Sequence, residues 1–436
     1  MPAEHPNSTW TRRRALTALG LVGAGLAGLS ACTDDDEPGT PGQPGSSAGG
    51  DSPAGPPPKA SVTITAPAAD AKDVPAGVEI VFSAKDAVKT EVVLTDASGA
   101  TVEGAMHPDG TGWMPGKTLA YGATYTAKVT ATGDDNRPAE ATATFTTMAK
   151  PSKTINFSSF LADGAVVGVG MPMIIRLSES IDSTADRAAV QRRMQVRTEP
   201  AQEGIWTWYS GKEMHWRPKE FWKAGTKIFV DVRMGGVKVG DSYGKVDLTL
   251  DCSTGSALVM TVDDKAKPKV MTVVKDGVIL RRIPVSLGRA TMPSSSGTMV
   301  IIERLAKTVF DTRTDPNPAN RYVTPIDYAQ RLTWGGEFIH SAPWSVGDQG
   351  KRNVSHGCIN MSAANAKWLF SITRVGDPVT IKGTPRKLEW NNGWTDWDRP
   401  WEDYVKGSAI PYVAPAPTTP DPSASPAVSP SATPTA

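Results

Sequence analysis

The sequence predicts a mainly β protein: two successive antiparallel sandwiches, then a third β-rich domain of different texture that carries the chemistry. Three observations predict it. Between residues 60 and 252, short runs such as Ser61-Val62-Thr63-Ile64-Thr65 alternate apolar and polar positions, with turn residues between them. Such period-two alternation marks half-buried strands. The region also repeats itself. Trp113-Met114-Pro115 followed by Tyr121-Gly122-Ala123-Thr124-Tyr125 is echoed 103 residues later by Trp216-Arg217-Pro218 followed by Ala224-Gly225-Thr226-Lys227. From residue 253 the repeat stops, and a hairpin signal, a proline-bearing loop, a short helix and a last strand follow.

A chain of 436 residues has room for two to four domains. Its 46 Lys+Arg nearly balance 45 Asp+Glu, and 39% of residues are apolar. That balance excludes a wholly disordered chain, a histone-like basic protein and a polytopic membrane protein. Three cysteines exclude a disulfide-dense scaffold, and none is close enough to another to suggest a zinc clip.

Residues 1–31 predict an export signal. Arg12-Arg13-Arg14 precedes an apolar stretch over residues 15–29, short for a bilayer span but suited to a signal peptide. It ends in Leu29-Ser30-Ala31-Cys32, which resembles a bacterial lipobox, where cleavage precedes the cysteine and the thiol receives diacylglycerol. Residues 11–16 resemble a twin-arginine signal, with Ala15 where a Phe is usual. An ordinary signal with an incidental Cys32 is the alternative. Residues 32–59 are a Pro/Gly-rich tether, with 7 Pro and 6 Gly over positions 33–59. Such a segment buries no core and reaches roughly 80 Å when extended. The protein is therefore expected outside the cytoplasm, lipid-anchored to the outer face of the cytoplasmic membrane. Loss of residues 1–31 removes three Arg and Glu4, taking the formal charge from +1 to about −1. No basic surface points to nucleic acid.

Residues 60–149 and 152–252 read as two immunoglobulin-like sandwiches joined at Lys150-Pro151, because the 103-residue offset is about one such unit. Residues 78–82, 126–130 and 143–146 are further strands, and no long amphipathic helical window is present. Neither module holds a site-like cluster, so both are expected to be spacers, with ligand binding as the alternative. Residues 253–383 form the third domain. Within it Asp276-Gly277, between apolar runs at 269–274 and 278–282, is a strong hairpin signal. Residues 311–319, with Pro316 and Pro318, read as a loop, 334–340 as a strand, 365–373 as a short helix and 379–381 as a last strand. Residues 384–412 form an extension rich in aromatics (Trp390, Trp394, Trp397, Trp401, Tyr404). It is expected to pack on the third domain, because exposed Trp clusters are unfavourable. Residues 413–436, with 7 Pro among Ser, Thr and Ala, are a low-complexity tail expected to be disordered.

The chemistry concentrates in His340-Ser341-Ala342-Pro343-Trp344 and Ser355-His356-Gly357-Cys358-Ile359-Asn360. A thiolate is the nucleophilic form of cysteine, and a free thiol of pKa about 8.5 is mostly protonated at neutral pH. A nearby imidazole can take that proton and hold a thiolate–imidazolium pair. Gly357 permits a tight backbone on which successive N–H groups converge, as an oxyanion hole needs. A buried structural cysteine flanked by His and Gly fits these residues equally well. Cys252 reads as a small buried apolar residue, and His5, His107 and His215 as surface or core bystanders.

The segment resembles the active-site signature of the L,D-transpeptidase (YkuD-type) family: an upstream His, a variable loop, then Ser-His-Gly-Cys-x-Asn, with 18 residues from His340 to Cys358. The order of export signal, lipobox, two Ig-like modules, catalytic domain and Trp-rich extension resembles the actinobacterial lipoprotein members. The resemblance implies that Cys358 is a nucleophile forming a thioester and that His340 is its base, with the other ring nitrogen on the carbonyl of Ser341. It implies that His356 orders the site and that the N–H groups of Gly357 and Cys358 hold the oxyanion. Tyr322 would aim its hydroxyl at the same site, Tyr322, Trp344, Ser355, His356 and Asn360 would line the substrate pocket, and Asn360 would also support the nucleophile loop. Residues 302–332 would be the lid. Met292-Pro293-Ser294-Ser295-Ser296-Gly297 departs from the Thr-Pro-x-x-x-Gly common in the family.

The implied reaction releases D-Ala from a tetrapeptide stem and passes the acyl group to the diaminopimelate amine of another, giving a 3→3 cross-link in the cell wall. Carbapenems are the implied covalent inhibitors. No cofactor or metal is implied, and the chain has neither HExxH nor a paired CxxC. Two alternatives keep some of these features: an L,D-carboxypeptidase with water as acceptor, and a non-catalytic wall-binding lipoprotein.

Overall fold

A computed structural model describes residues 57–107 and 110–414. The expected signal, the lipobox with Cys32, nearly all of the tether and most of the tail lie outside them.

The first module is a two-layer sandwich. Its longer sheet runs, in spatial order, Ala71–Val74, Pro138–Thr147, Thr124–Thr132, Lys89–Asp96 and Thr101–Val102, and the facing sheet runs Ser61–Ala66, Ile80–Lys85, Gly112–Pro115 and Gly104–Met106. Alternation does the sorting: Tyr125, Ala127, Val129 and Ala131 point inward from one strand onto Phe82, Leu94, Trp113 and Phe145. The second module repeats the plan with Met173–Leu177, Glu213–Pro218 and Gly204–Ser210 opposite Leu248–Thr254, Lys227–Val232 and Met194–Glu199. The sequence echo has a packing reason. Each repeated Trp lies against a glycine on the neighbouring strand, and a Cβ there would fall 2.1 Å from Trp113 at Gly104 and 2.2 Å from Trp216 at Gly204.

The second module also contains a helix, Thr184–Arg192, where the sequence reading has only strands. It is short and polar, and only Val190 and Gln191 are buried, so no apolar stripe announces it. Its ends carry the signal instead. Ser183 Oγ accepts from Asp186 N, Asp186 sits in the first turn and Arg192 in the last. Cys252 is buried as expected, its thiol 3.7 Å from Met173 Sδ.

The third domain sets a six-stranded sheet (Val278–Pro284, Val270–Lys275, Leu258–Asp263, Pro378–Lys382, Ser295–Val300, Arg386–Lys387) against a four-stranded one (Glu303–Asp311, Val323–Arg331, Phe338–Ser341, Ile359–Met361). The Asp276-Gly277 turn has positive φ at both positions, 50° and 81°, as a two-residue type I′ hairpin requires. Helix Ala363–Ile372, capped by Ser362, buries Ala366 and Leu369 in a core with Met260, Met271, Met299, Ile339, Ile359 and Val379. The strand expected over 334–340 is shorter at its start. Gly335-Gly336 breaks into a turn, with Gly336 at φ +93°, and pairing begins only at Phe338.

The aromatic extension packs on the third domain, as expected, and on the second sandwich as well. Trp394 and Trp397 join the core of the second sandwich, and Trp397 Nε1 donates to Gly170 O at 2.6 Å. The reason is a buried cation. Arg217 of the second sandwich is only 2% exposed, and the extension covers its guanidinium with Trp397, Trp401 and Tyr404 at 4.4, 5.2 and 4.2 Å. His215 lies in the core, one of the two places the sequence reading allows it, but as a charged link. Its ring is fully buried between Asp396 of the extension and Glu213, each 2.9 Å away, with Tyr209 stacked on it at 4.1 Å. On the third domain, the extension's Leu388 enters the core, and its Asp398 Oδ1 accepts from Thr298 N at 3.0 Å.

The core of the second sandwich extends into the third domain. Val300 and Ile302 belong to the sandwich's cluster, and Gly168 and Gly170 donate to the carbonyls of Val375 and Gly376, both at 2.8 Å. Contacts between the two sandwiches combine polar pairs, such as Arg193–Glu79 at 3.1 Å and Thr118–Asp247 at 3.3 Å, with close packing of Ala76 and Gly77 on Gly236 and Val237.

Candidate active site

Two short parallel strands build the site. Phe338–Ser341 and Ile359–Met361 pair in the register Ile339–Ile359, His340–Asn360 and Ser341–Met361. Side chains alternate across a sheet, so burying Ile339, Ile359 and Met361 in the core sends His340, Asn360 and Cys358 to the opposite face. There they line a cavity of about 400 Å³ with Tyr322, Trp344, Ser355 and His356. A second cavity, about 360 Å³, is lined among others by Thr312, Asn320, Gly335 and Arg331. Both reach Cys358, His356, Tyr322 and Phe310.

His340 Nδ1 lies 2.8 Å from the carbonyl oxygen of Ser341. A carbonyl only accepts, so Nδ1 carries the proton and Nε2 is free to take one. Phe310 packs edge-on to the ring at 5.3 Å. Burial pushes the imidazole down to about 4, against the pull of the Ser341 bond. Cys358 is 8% exposed, and its thiol donates to Gly336 O at 3.7 Å. Burial pushes it up to about 12. Taking both groups out of water disfavours both charges, so burial works against the thiolate–imidazolium pair of the sequence reading.

The nucleophile loop is held by hydroxyls. Ser355 Oγ accepts from Gly357 N at 3.1 Å and donates to Cys358 O at 2.7 Å. Gly357 has φ +125°, a conformation that only glycine adopts readily. The sequence reading aims the N–H groups of both Gly357 and Cys358 at the oxyanion. The structure corrects this, because the Gly357 N–H is already committed to Ser355. The Cys358 N–H has no acceptor among the described residues.

His356 faces Tyr322, with ring centroids 5.3 Å apart, and its Nε2 has no partner among the described residues. Burial, reinforced by Arg289, lowers its pKa. The Tyr322 phenol is raised by burial and then by Cys358. Asn360 donates to Ser345 Oγ at 3.3 Å, and its Oδ1 is buried without a partner among the described residues. Trp344 stands at the rim, 59% exposed. Sequence reasoning missed the groups behind the loop. Ser294 Oγ donates to Gly357 O at 2.6 Å, and Ser295 N and Oγ both donate to the buried Glu337 carboxylate, at 3.1 and 2.7 Å. The triple-serine departure at 294–296 was the available signal.

A family model described as the L,D-transpeptidase catalytic domain (YkuD) matches residues 258–381, and one described as a bacterial Ig domain matches residues 71–238 as a single span across both sandwiches. L,D-transpeptidase 2 of Mycobacterium tuberculosis (strain CDC 1551 / Oshkosh) is 35% identical over 335 residues, 75% of this chain and 80% of that protein. L,D-transpeptidase 5 of Mycobacterium tuberculosis (strain ATCC 25618 / H37Rv) is 35% identical over 373 residues, 83% of this chain and 80% of that protein. The solved structure of LD transpeptidase LdtMt1 in complex with imipenem is 34% identical, with TM-score 0.45, over 53% of this chain and all of that one. Fold and site together define a cysteine-bearing acyl-transfer enzyme preceded by Ig-like domains. The chain belongs to the L,D-transpeptidase family.

Proposed function

We propose that this transpeptidase makes 3→3 cross-links between peptidoglycan stems through a thioester on Cys358. Cys358 Sγ attacks the carbonyl between diaminopimelate and D-Ala of a tetrapeptide donor while His340 Nε2 takes the thiol proton. Because burial disfavours both charges, proton transfer is expected to accompany attack. The oxyanion draws on the Cys358 N–H and the Tyr322 hydroxyl. Collapse breaks the C–N bond, and His340 returns the proton to the departing amine of D-Ala. The side-chain amine of a second stem's diaminopimelate then attacks the thioester, gives its proton to His340, and frees the thiol.

The observation that carries transfer over hydrolysis is the pair of cavities meeting at one sulfur, which offers separate approaches for donor and acceptor. Incubation with a disaccharide tetrapeptide tests it. Cross-linked dimer masses are expected, and tripeptide alone would establish the carboxypeptidase reading. By the same chemistry a carbapenem's strained carbonyl should acylate Cys358. The lipobox-like Leu29-Ser30-Ala31-Cys32 supports anchoring at the outer face of the cytoplasmic membrane. Cys32→Ala should leave the precursor uncleaved or release the protein; membrane partitioning like wild type would exclude the lipid.

A further inference from the structure

Cys358 owes its one free N–H to a residue that never touches the cavity. The peptide unit between Gly357 and Cys358 is planar and trans, so its C=O and N–H point in opposite directions. Whatever grips the Gly357 carbonyl therefore decides where the Cys358 N–H points. That grip is the hydroxyl of Ser294, 2.6 Å from Gly357 O. Ser294 is fully buried and lines neither cavity that reaches Cys358.

The direction of the Ser294 proton is settled by its other neighbour. Gly288 N donates to Ser294 Oγ at 3.0 Å, which occupies a lone pair and leaves the hydroxyl proton for Gly357 O. The turn that brings Ser294 there is closed tightly. Met292 N donates to Arg289 O at 2.9 Å, and a Cβ on Gly288 would fall 2.1 Å from Met292 O and 2.6 Å from Ser294 N. Ser355 ties the remaining groups, taking Gly357 N–H and Cys358 O. Of the four polar backbone groups in the Gly357-Cys358 segment, three are bound behind the loop, and the fourth is turned the other way.

We propose that Ser294 is a positioning residue for acyl transfer, which pins the Gly357 carbonyl so that the Cys358 N–H is held toward the developing oxyanion. This deepens the reading of Cys358 as an acyl-forming nucleophile and rests on it. Without the hydroxyl the peptide plane is free to tilt, and the donor is no longer preorganised where charge develops. The thiol, His340 and the walls of the cavity are untouched.

Two reactions of the same sulfur separate this role from a merely structural one. Acylation by a carbapenem passes through a tetrahedral oxyanion, whereas alkylation by iodoacetamide is a direct displacement that forms none. In full-length Ser294→Ala, the saturating rate of carbapenem acylation, followed by mass spectrometry, should fall roughly 10- to 100-fold, less than the roughly 10² to 10³ of an oxyanion donor removed outright, because the N–H is misaimed rather than lost. The carbapenem concentration giving half-maximal rate should stay near wild type. Alkylation of Cys358, located by peptide mapping, should keep its wild-type rate. Unchanged acylation in Ser294→Ala would overturn the proposal. So would an alkylation rate that moves as far as acylation, including the acceleration expected of an unfolded chain. A wild-type protein that alkylates but is never acylated would instead remove the transpeptidase reading beneath it.

Discussion

His340 Nδ1 donates to the carbonyl oxygen of Ser341, the next residue in the same strand, at 2.8 Å. The strand's own backbone thus selects the tautomer of the histidine, and the nitrogen left without a proton is Nε2. A backbone carbonyl rather than a carboxylate does this work, and its pull toward the imidazolium is outweighed by burial.

The two histidines should separate cleanly. His340→Ala should lower acylation of Cys358 by about 10² to 10⁴, the usual loss for a general base. His356→Ala should cost less, since its ring meets Tyr322. Tyr322→Phe should cost at most roughly 10² to 10³. Mass spectrometry of carbapenem adducts over time measures all three. If His340→Ala reacts like wild type while His356→Ala is inert, the roles must be exchanged.

The pH profile should show its acid limb unusually low. His340 has to be neutral to accept the thiol proton, and burial brings its pKa from 6.5 to about 4. Acylation should therefore hold steady as pH falls through 6.5 and fail only near 4. With the thiol pushed up to about 12, ultraviolet thiolate absorbance should be missing from the wild type at neutral pH. A thiolate signal at neutral pH, or an acid limb near 6.5, would restore the ion-pair mechanism.

The Glu213–His215–Asp396 cluster should make stability depend on pH. Burial alone would lower His215, but Asp396 and Glu213 outweigh it and raise the imidazole from 6.5 to about 9. Burial would raise Glu213, but His215 and Arg176 bring it to about 2. The remaining neighbours are the phenols of Tyr209 and Tyr404, both raised by burial, and the Arg217 guanidinium. A raised histidine contributes fully below 6.5, and that contribution is lost as pH climbs through about 9. A depressed glutamate contributes above 4.5 and fades toward 2. Thermal melts across pH should show the cluster's contribution peaking between these limits. Asp396→Asn should cost about 3 kcal/mol near neutrality, because it leaves a buried charge short of a partner, and should flatten the loss between 6.5 and 9. A melting temperature indifferent to pH in both proteins would contradict this.

Deleting residues 60–149 should leave carbapenem acylation largely intact, because that module has its own core and meets the second one through polar pairs and close packing. Removing the second module as well should unfold the remainder. It would strip the partners of Val300, Ile302 and Trp394, which lie in the sandwich's own core. Circular dichroism of the two truncations distinguishes them, and a well-folded 253–412 fragment would show these core contacts to be dispensable.

Local pattern made the modular plan legible: alternating strands, the Trp echo, the Asp276-Gly277 hairpin, and the spaced His340 and Ser355-to-Asn360 segments are all properties of neighbours in the chain. The short helix Thr184–Arg192 escaped because its stability comes from caps rather than from an apolar stripe. What tertiary structure decided are the properties that depend on distant residues. His215 and Asp396 are 181 positions apart, and only their contact turns an isolated histidine into a buried charged link that draws the extension onto the second sandwich. Ser294 and Gly357 are 63 apart, and only their hydrogen bond orients the Cys358 N–H. The charge state of Cys358 and His340 is likewise set by enclosure. Motif residues specify which groups can exchange a proton, but desolvation by the surrounding walls decides where that proton rests.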